Sequence, residues 1–401
     1  MATQNVKQKR IQEPAHHAIE LFAGAGGLGM GVATSGFKTE MVVERDRYCC
    51  DTIRENQAAG HPVFRTWKLV DEDVRLVDFK SYRGSVDLVS GGPPCQPFSL
   101  GGKHRAFRDD RDLWSEAVRA VREVRPSAFI FENVKGLTRQ AFANYYEYIY
   151  LQLSYPSIRR GSEEAWNDHF ARLEQHHTSK KTRSGLTYRV VRRVLNAANY
   201  GVPQKRERVF FVGFRADLGI EWHFPEPTHS LDALIWEQVV SKEYWERHKV
   251  PKAHRIVPEK WRARARLLPD DNGLPWRTTR DAIADLPQPG PFETAGILNH
   301  RLQLGARAYP GHTGSALDEP AKTLKAGVHG VPGGENMIAL PDGNVRYLTI
   351  RESARLQTFP DDFRFHGSWT ETMRQLGNAV PVQLGRTVAT SVREHLDRLQ
   401  G

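Results

Sequence analysis

The chain has 401 residues, with 57 lysines and arginines against 47 acids and a net charge of +10. Hydrophobic residues make up 39%, and no apolar run is long enough to cross a bilayer, so a soluble cytoplasmic protein of about two domains is expected, with no membrane partner. Three cysteines (Cys49, Cys50, Cys95) cannot build a disulfide framework, and no Cys/His set has metal-binding spacing, so no metal is expected.

Residues 1–16 are read as a flexible tail, because their start is polar and basic with no apolar core segment. Residues 18–22 form the first apolar stretch, a buried strand that runs into Ala23-Gly24-Ala25-Gly26-Gly27-Leu28-Gly29. Glycines at a strand-to-helix junction let the backbone approach a ligand and aim a helix N-terminus at it. A second strand over 39–43 ends at Glu44, where an acid suits a ribose diol. Cys49 and Cys50 follow on a helix as packing residues.

Residues 85–90 read as another short buried strand, followed by Gly91-Gly92-Pro93-Pro94-Cys95-Gln96-Pro97-Phe98-Ser99. Each proline fixes its own φ and removes a donor, so this segment is neither helix nor central strand. It presents one thiol on a stiff loop past a strand end, where open α/β sheets place their chemistry. A core cysteine needs no such frame, and Cys95 is therefore read as a nucleophile. The glycine-rich, basic residues after Ser99, up to 112, are expected to be a mobile loop that closes over a ligand.

An amphipathic helix over 112–124 is stopped by Pro126, and the strand over 127–131 ends at Glu132-Asn133-Val134. Cys95 and Glu132 thus lie at strand ends that open on one edge of a parallel sheet. Residues 155–184 are long and polar, with a helix expected over 163–174 and a basic end at Lys180, Lys181 and Arg183. Gln204-Lys205-Arg206-Glu207-Arg208 then leads into an apolar strand over 209–214. In an extended chain Gln204, Arg206 and Arg208 share one face, and two guanidiniums there need anions or acceptors. Strands alternating with helices imply an α/β fold, a doubly wound and mostly parallel sheet.

From 221 onward proline and glycine are frequent, and basic residues interleave with aromatic ones such as Trp245, Trp261, Arg262, Arg264, Trp276 and Arg277. Residues 241–280 carry eleven lysines and arginines against five acids, and residues 151–210 carry twelve against five. That excess fits a polyanionic partner. A helix is expected over 382–399.

With these residues in hand, the chain closely resembles the DNA cytosine-5 methyltransferases, especially the single-chain bacterial modification enzymes. Six segments carry the likeness in the family's order: Phe22-Ala23-Gly24-Ala25-Gly26-Gly27, Gly92-Pro93-Pro94-Cys95-Gln96-Pro97-Phe98-Ser99, Glu132-Asn133-Val134, residues 199–208, residues 351–360 and Gln375-Leu376-Gly377-Asn378-Ala379-Val380-Pro381. The resemblance implies the fold of S-adenosylmethionine-dependent methyltransferases over 17–220, a smaller irregular β-rich target-recognition domain over 221–371, and a C-terminal segment, 372–401, that returns to the catalytic domain. It implies Cys95 as nucleophile at cytosine C6, Glu132 at N3 and the exocyclic amine, and Arg208 with Arg206 nearby at O2. Pro93, Pro94, Gln96 and Ser99 belong to the active-site loop. Phe22, Gly24, Gly26, Glu44, Asp73, Leu113 and Asn378 would line S-adenosylmethionine. The implied partner is double-stranded DNA, bound by a monomer paired functionally with a restriction endonuclease.

Rival readings are an RNA cytosine-5 methyltransferase of the same build, a DNA-binding protein without catalysis, and a nicotinamide dehydrogenase. The long interval between Gly213 and Arg351 favours a duplex-DNA reader over the first. Intact Cys95, Glu132, Arg206 and Arg208 argue against the second, and Pro94-Cys95-Gln96 against the third.

Overall fold

The computed structural model describes residues 16–94, 113–179, 185–269, 273–293, 296–326 and 336–399. Seven strands make one sheet: β1 (His16–Leu21), β2 (Phe37–Glu44), β3 (Leu69–Asp71), β4 (Leu88–Gly91), β5 (Ala128–Val134), β6 (Tyr188–Asn196) and β7 (Glu207–Arg215). Their order is β3-β2-β1-β4-β5-β7-β6, with the β3–β2, β2–β1, β1–β4 and β4–β5 pairs parallel. β7 runs antiparallel to both of its neighbours. The mostly parallel sheet is as expected, and the reversed β7 is an addition to it.

The interleaved helices are α1 (Gly27–Thr34), α2 (Arg47–Ala58), α3 (Trp114–Val124), α4 (Ala143–Ser154) and α5 (Trp166–Thr178). α3 turns Trp114, Ala117, Val118, Val121 and Val124 to the sheet. It ends where Arg125 adopts φ 55°, just before Pro126. Val118, Val121 and Val124 join Val89, Phe129, Phe131 and Phe211 in one apolar cluster. The other face carries Ala18, Leu88, Ile130, Phe210 and Val212 against α1 and a C-terminal helix. Burial of alternate strand residues against both layers is what a doubly wound sheet requires.

Beyond β7 come β8 (His229–Ser230), α6 (Leu231–Ile235), α7 (Glu243–Arg247), α8 (Glu259–Ala265), β9 (Leu274–Pro275), α9 (Thr279–Ile283), β10 (Met337–Ala339) and β11 (Val345–Tyr347). The strand content expected here is limited, among the described residues, to two ladders, β8–β9 and β10–β11, of two and three residue pairs. Proline and clustered charge interrupt longer ladders, and short helices fill the interval. α10 (Ile350–Leu356), α11 (Trp369–Asn378) and α12 (Val382–Asp397) complete the chain. α12 packs Leu384, Val388, Val392 and Leu396 onto the sheet.

α5 packs on α4 through Trp166, Phe170 and Leu173, and its buried His169 accepts or donates at the Tyr148 hydroxyl, 2.8 Å away. The helix expected over 163–174 is thus present, shifted towards the C-terminus. No helix among the described residues is long and apolar enough to cross a membrane.

Candidate active site

Three strand ends build the site. β4 ends at Gly91, and the chain continues through Gly92, Pro93 and Pro94 beside β5. The next residue, Cys95, lies outside the described residues, as do Gln96, Ser99 and the loop expected up to 112. β5 carries Glu132, 6% exposed, and β7 carries Arg208, 8% exposed. Because β5 and β7 are antiparallel, with Glu132 opposite Phe210 and Val134 opposite Arg208, the two charged side chains are diagonal neighbours on one face. Arg208 Nε lies 2.8 Å from Glu132 Oε1.

The Glu132 carboxyl also lies close to Gly92: a Cβ added there would stand 3.3 Å from Glu132 Oε2. Any side chain at position 92 would press on that carboxyl. Burial raises the Glu132 pKa above the usual carboxylate range, against the opposing pull of the Arg208 and Arg206 charges. Burial likewise lowers Arg208. A carboxyl that holds a proton nearer neutrality, fixed beside a guanidinium on a strand end, can donate to a heteroatom of a bound ring.

A second feature of the same sheet edge lies between β1 and α1. Gly24 (φ 56°) and Gly26 (φ 87°) occupy left-handed backbone that L side chains rarely adopt. The Gly24 N–H donates to Glu44 Oε2 at 2.7 Å, while Glu44 Oε1 accepts from the Arg45 and Asp46 N–H groups at 2.8 and 2.7 Å. Phe22, also at positive φ (54°), lies between this loop and the apolar cluster. Val380 closes on the loop, since a Cβ at Gly27 would lie 2.3 Å from its carbonyl oxygen. Asn378 stands exposed two residues earlier, at the end of α11.

The family profile of the C-5 cytosine-specific DNA methylases matches residues 16–155 and 169–394. The chain belongs to that family. This methylase is 32% identical over 385 residues to the type II methyltransferase M.PspPI of Psychrobacter sp. (94% of this chain, 79% of that protein). It is 32% identical over 400 residues to M.Eco47II of Escherichia coli (98% of this chain, 82% of that protein). Among solved structures, a triple mutant of Spodoptera frugiperda DNMT2 superposes with a TM-score of 0.53 at 15% identity, covering 96% of this chain and 100% of that one. The S. pombe Dnmt2 methyltransferase gives 0.53 at 14%, with the same coverage. These likenesses show the fold. The protein is a DNA cytosine-5 methyltransferase of the bacterial restriction–modification type.

In this methylase the profile skips residues 156–168, inside the long polar stretch over 155–184. Gln204, Arg206 and Arg208 are all buried, while Lys205 is half-buried and Glu207 exposed, so the alternation read from the sequence is present. The two arginines nevertheless part company. Arg206 gives Nη1 to the Leu324 carbonyl at 2.9 Å and Nη2 to the Gly377 and Ala379 carbonyls at 2.6 and 2.8 Å. Its guanidinium ties the end of the second region and the C-terminal motif to the sheet; it is engaged there rather than at Glu132. Desolvation lowers its pKa well below the ordinary arginine value.

Asp73 caps a helical turn. Its carboxylate accepts from the Arg75 backbone and side chain and from Arg45 Nη1, 2.8 Å away, which holds it below the usual carboxylate range. Leu113 is buried at the start of α3. Two polar contacts went unread in the sequence. Asn133 Nδ2 donates to the Pro93 carbonyl at 2.9 Å. Glu20, on β1, meets the Ser90 hydroxyl on β4, and burial pushes its pKa up to about 8. The only signal for the second was an acid inside an apolar strand.

Proposed function

We propose that the chain methylates C5 of a cytosine turned out of a specific double-stranded DNA sequence, through a transient bond between Cys95 Sγ and C6. The buried Glu132–Arg208 pair beside Gly92, Pro93 and Pro94 carries this reading. C5 of cytosine is a weak nucleophile. A Cys95 thiolate adding at C6 makes C5 enamine-like, splitting one hard step into two easier ones. Charge pushed into the ring reaches N3, where a protonated Glu132 donates. Arg208 holds O2 and orients Glu132. A base removes the C5 proton after transfer, the Cys95–C6 bond breaks, and the thiolate leaves. The target atom lies inside the stack, so the base is flipped out at a cost of about a few kcal/mol.

The glycine loop fits S-adenosylmethionine. Glu44 lies at the end of β2, its carboxylate already oriented by three backbone N–H groups. Phe22, Gly24, Gly26, Glu44, Leu113 and Asn378 would hold the cofactor, whose sulfonium supplies an electrophilic methyl group. Asp73 would join them only by sharing its arginines. Residues 221–371 would read the DNA through base edges and phosphates, and the product would be protected from a cognate endonuclease. Bisulfite sequencing of DNA from cells expressing the chain tests the proposal: new methylcytosine in one sequence context is expected, and none would overturn it.

A further inference from the structure

The β4–β5 ladder runs from Leu88 opposite Ala128 to Gly91 opposite Phe131, and after Gly92 it meets two residues that lack amide hydrogens, Pro93 and Pro94. Beyond Gly91 a side chain takes over from the backbone. Asn133, 5% exposed on β5, donates Nδ2 to the Pro93 carbonyl at 2.9 Å, and its Oδ1 accepts the Val134 N–H at 2.9 Å. Both ends of the amide are used, so its orientation is determined: only Nδ2 can donate to a carbonyl oxygen.

Resting on the function proposed above, we infer that Asn133 is a positioning residue for the methyl-transfer reaction. Its amide fixes the Pro93 carbonyl, and with it the start of the loop that carries Cys95 two residues later, against the strand that carries Glu132. Nucleophile and proton donor then share one rigid reference, β5. Neighbouring residues 132 and 133 point to opposite faces of the strand, so one side chain serves the base while the other serves the loop. An error of about 1 Å in such a reference costs about 100-fold in rate.

The test uses the full chain and a duplex carrying the sequence found by bisulfite mapping. Asn133→Ala is expected to lower kcat by about 10- to 100-fold, while the KM for S-adenosylmethionine stays within about two-fold of wild type. Asn133→Asp provides a readout that a packing role would not move. Its ionised carboxylate repels the Pro93 carbonyl, whereas its protonated form donates to it. The ratio of variant to wild-type kcat should therefore rise by about ten-fold as pH falls from about 8 to 5.5. If Asn133→Ala does not fold, Asn133→Asp decides alone. Wild-type kcat in Asn133→Ala, or a ratio for Asn133→Asp that is flat with pH, overturns the inference. A wild-type chain that methylates nothing overturns the proposed function instead, and this positioning role with it.

Discussion

The interior of the seven-stranded sheet is made of apolar side chains on alternating faces, whereas the interval from β8 to α10 is closed by hydrogen-bonded polar side chains around a smaller apolar cluster. On one side stand Phe129, Phe131, Phe211 and Val121, and on the other Ile130, Phe210, Val212 and Val388. In the second region the Tyr244 hydroxyl bridges Thr278 Oγ1 at 2.9 Å and Asp318 Oδ1 at 2.8 Å. Asp318 also takes Arg280, and Asp281 takes His248 at 2.7 Å. Apolar packing tolerates exchange of one shape for another, but a buried polar network fails at the first missing partner. The candidate active site sits where the two kinds of interior meet, and its two arginines show each at work: Arg206 is satisfied by the Leu324 carbonyl of the second region and by the Gly377 and Ala379 carbonyls of the C-terminal segment, and Arg208 is paired with Glu132.

The largest effect should come from breaking that seam. Arg206→Met takes the guanidinium donor from the Leu324 and Gly377 carbonyls and leaves Ala379 only Gln357 Nε2 at 3.3 Å, and it is expected to cost about 4 kcal/mol in urea unfolding. A loss below about 1 kcal/mol would mean the two regions do not depend on this guanidinium. Glu132→Gln should do the opposite. It keeps an amide donor but no transferable proton, so kcat should drop about 100-fold with the unfolding midpoint unchanged or raised. A variant as active as wild type would remove Glu132 from the chemistry.

The alternation of the sheet was legible because burial on two faces writes a simple pattern into sequence. β1, β2, β4, β5 and the 204–208 face followed from apolar runs and their polar ends. β3 escaped because three residues show no period, and the reversal of β7 because strand direction is set by connection and packing. The site residues were legible as residue types on strand ends. Which arginine pairs with Glu132 was not, since Arg206 and Arg208 share one face and differ only in what the folded chain brings to them. Likewise Asp73 reads as a free acid until Arg45 and Arg75 are seen to hold it. The second region stayed opaque because partners such as Tyr244 and Asp318 lie far apart in sequence.

A buried acid inside the apolar half sharpens the contrast by pH. Glu20 in the folded chain has a pKa of about 8 against an ordinary 4.5. A raised acid contributes its full stability below the unfolded value and loses it as pH rises through the folded value. Relative to Glu20→Gln, wild type should therefore lose roughly ten-fold in its folding equilibrium per pH unit between about 5 and 8. Parallel curves for the two proteins would show that Glu20 enters the fold ionised. The smallest effect belongs to the exposed Lys135–Glu207 pair, 2.8 Å apart on the rim. Lys135→Ala should change unfolding by less than about 0.5 kcal/mol. A larger loss would mean the rim of β7 is braced by charge.

The most direct test of the central claim is covalent trapping. A duplex carrying 5-fluorocytosine at the mapped target, incubated with the chain and S-adenosylmethionine, has no C5 proton to release and should leave the protein bonded to DNA. Peptide mass analysis should place that bond on Cys95, and Cys95→Ser should form none. Methylation of ordinary DNA with no adduct on the fluorinated duplex would contradict attack by the thiol.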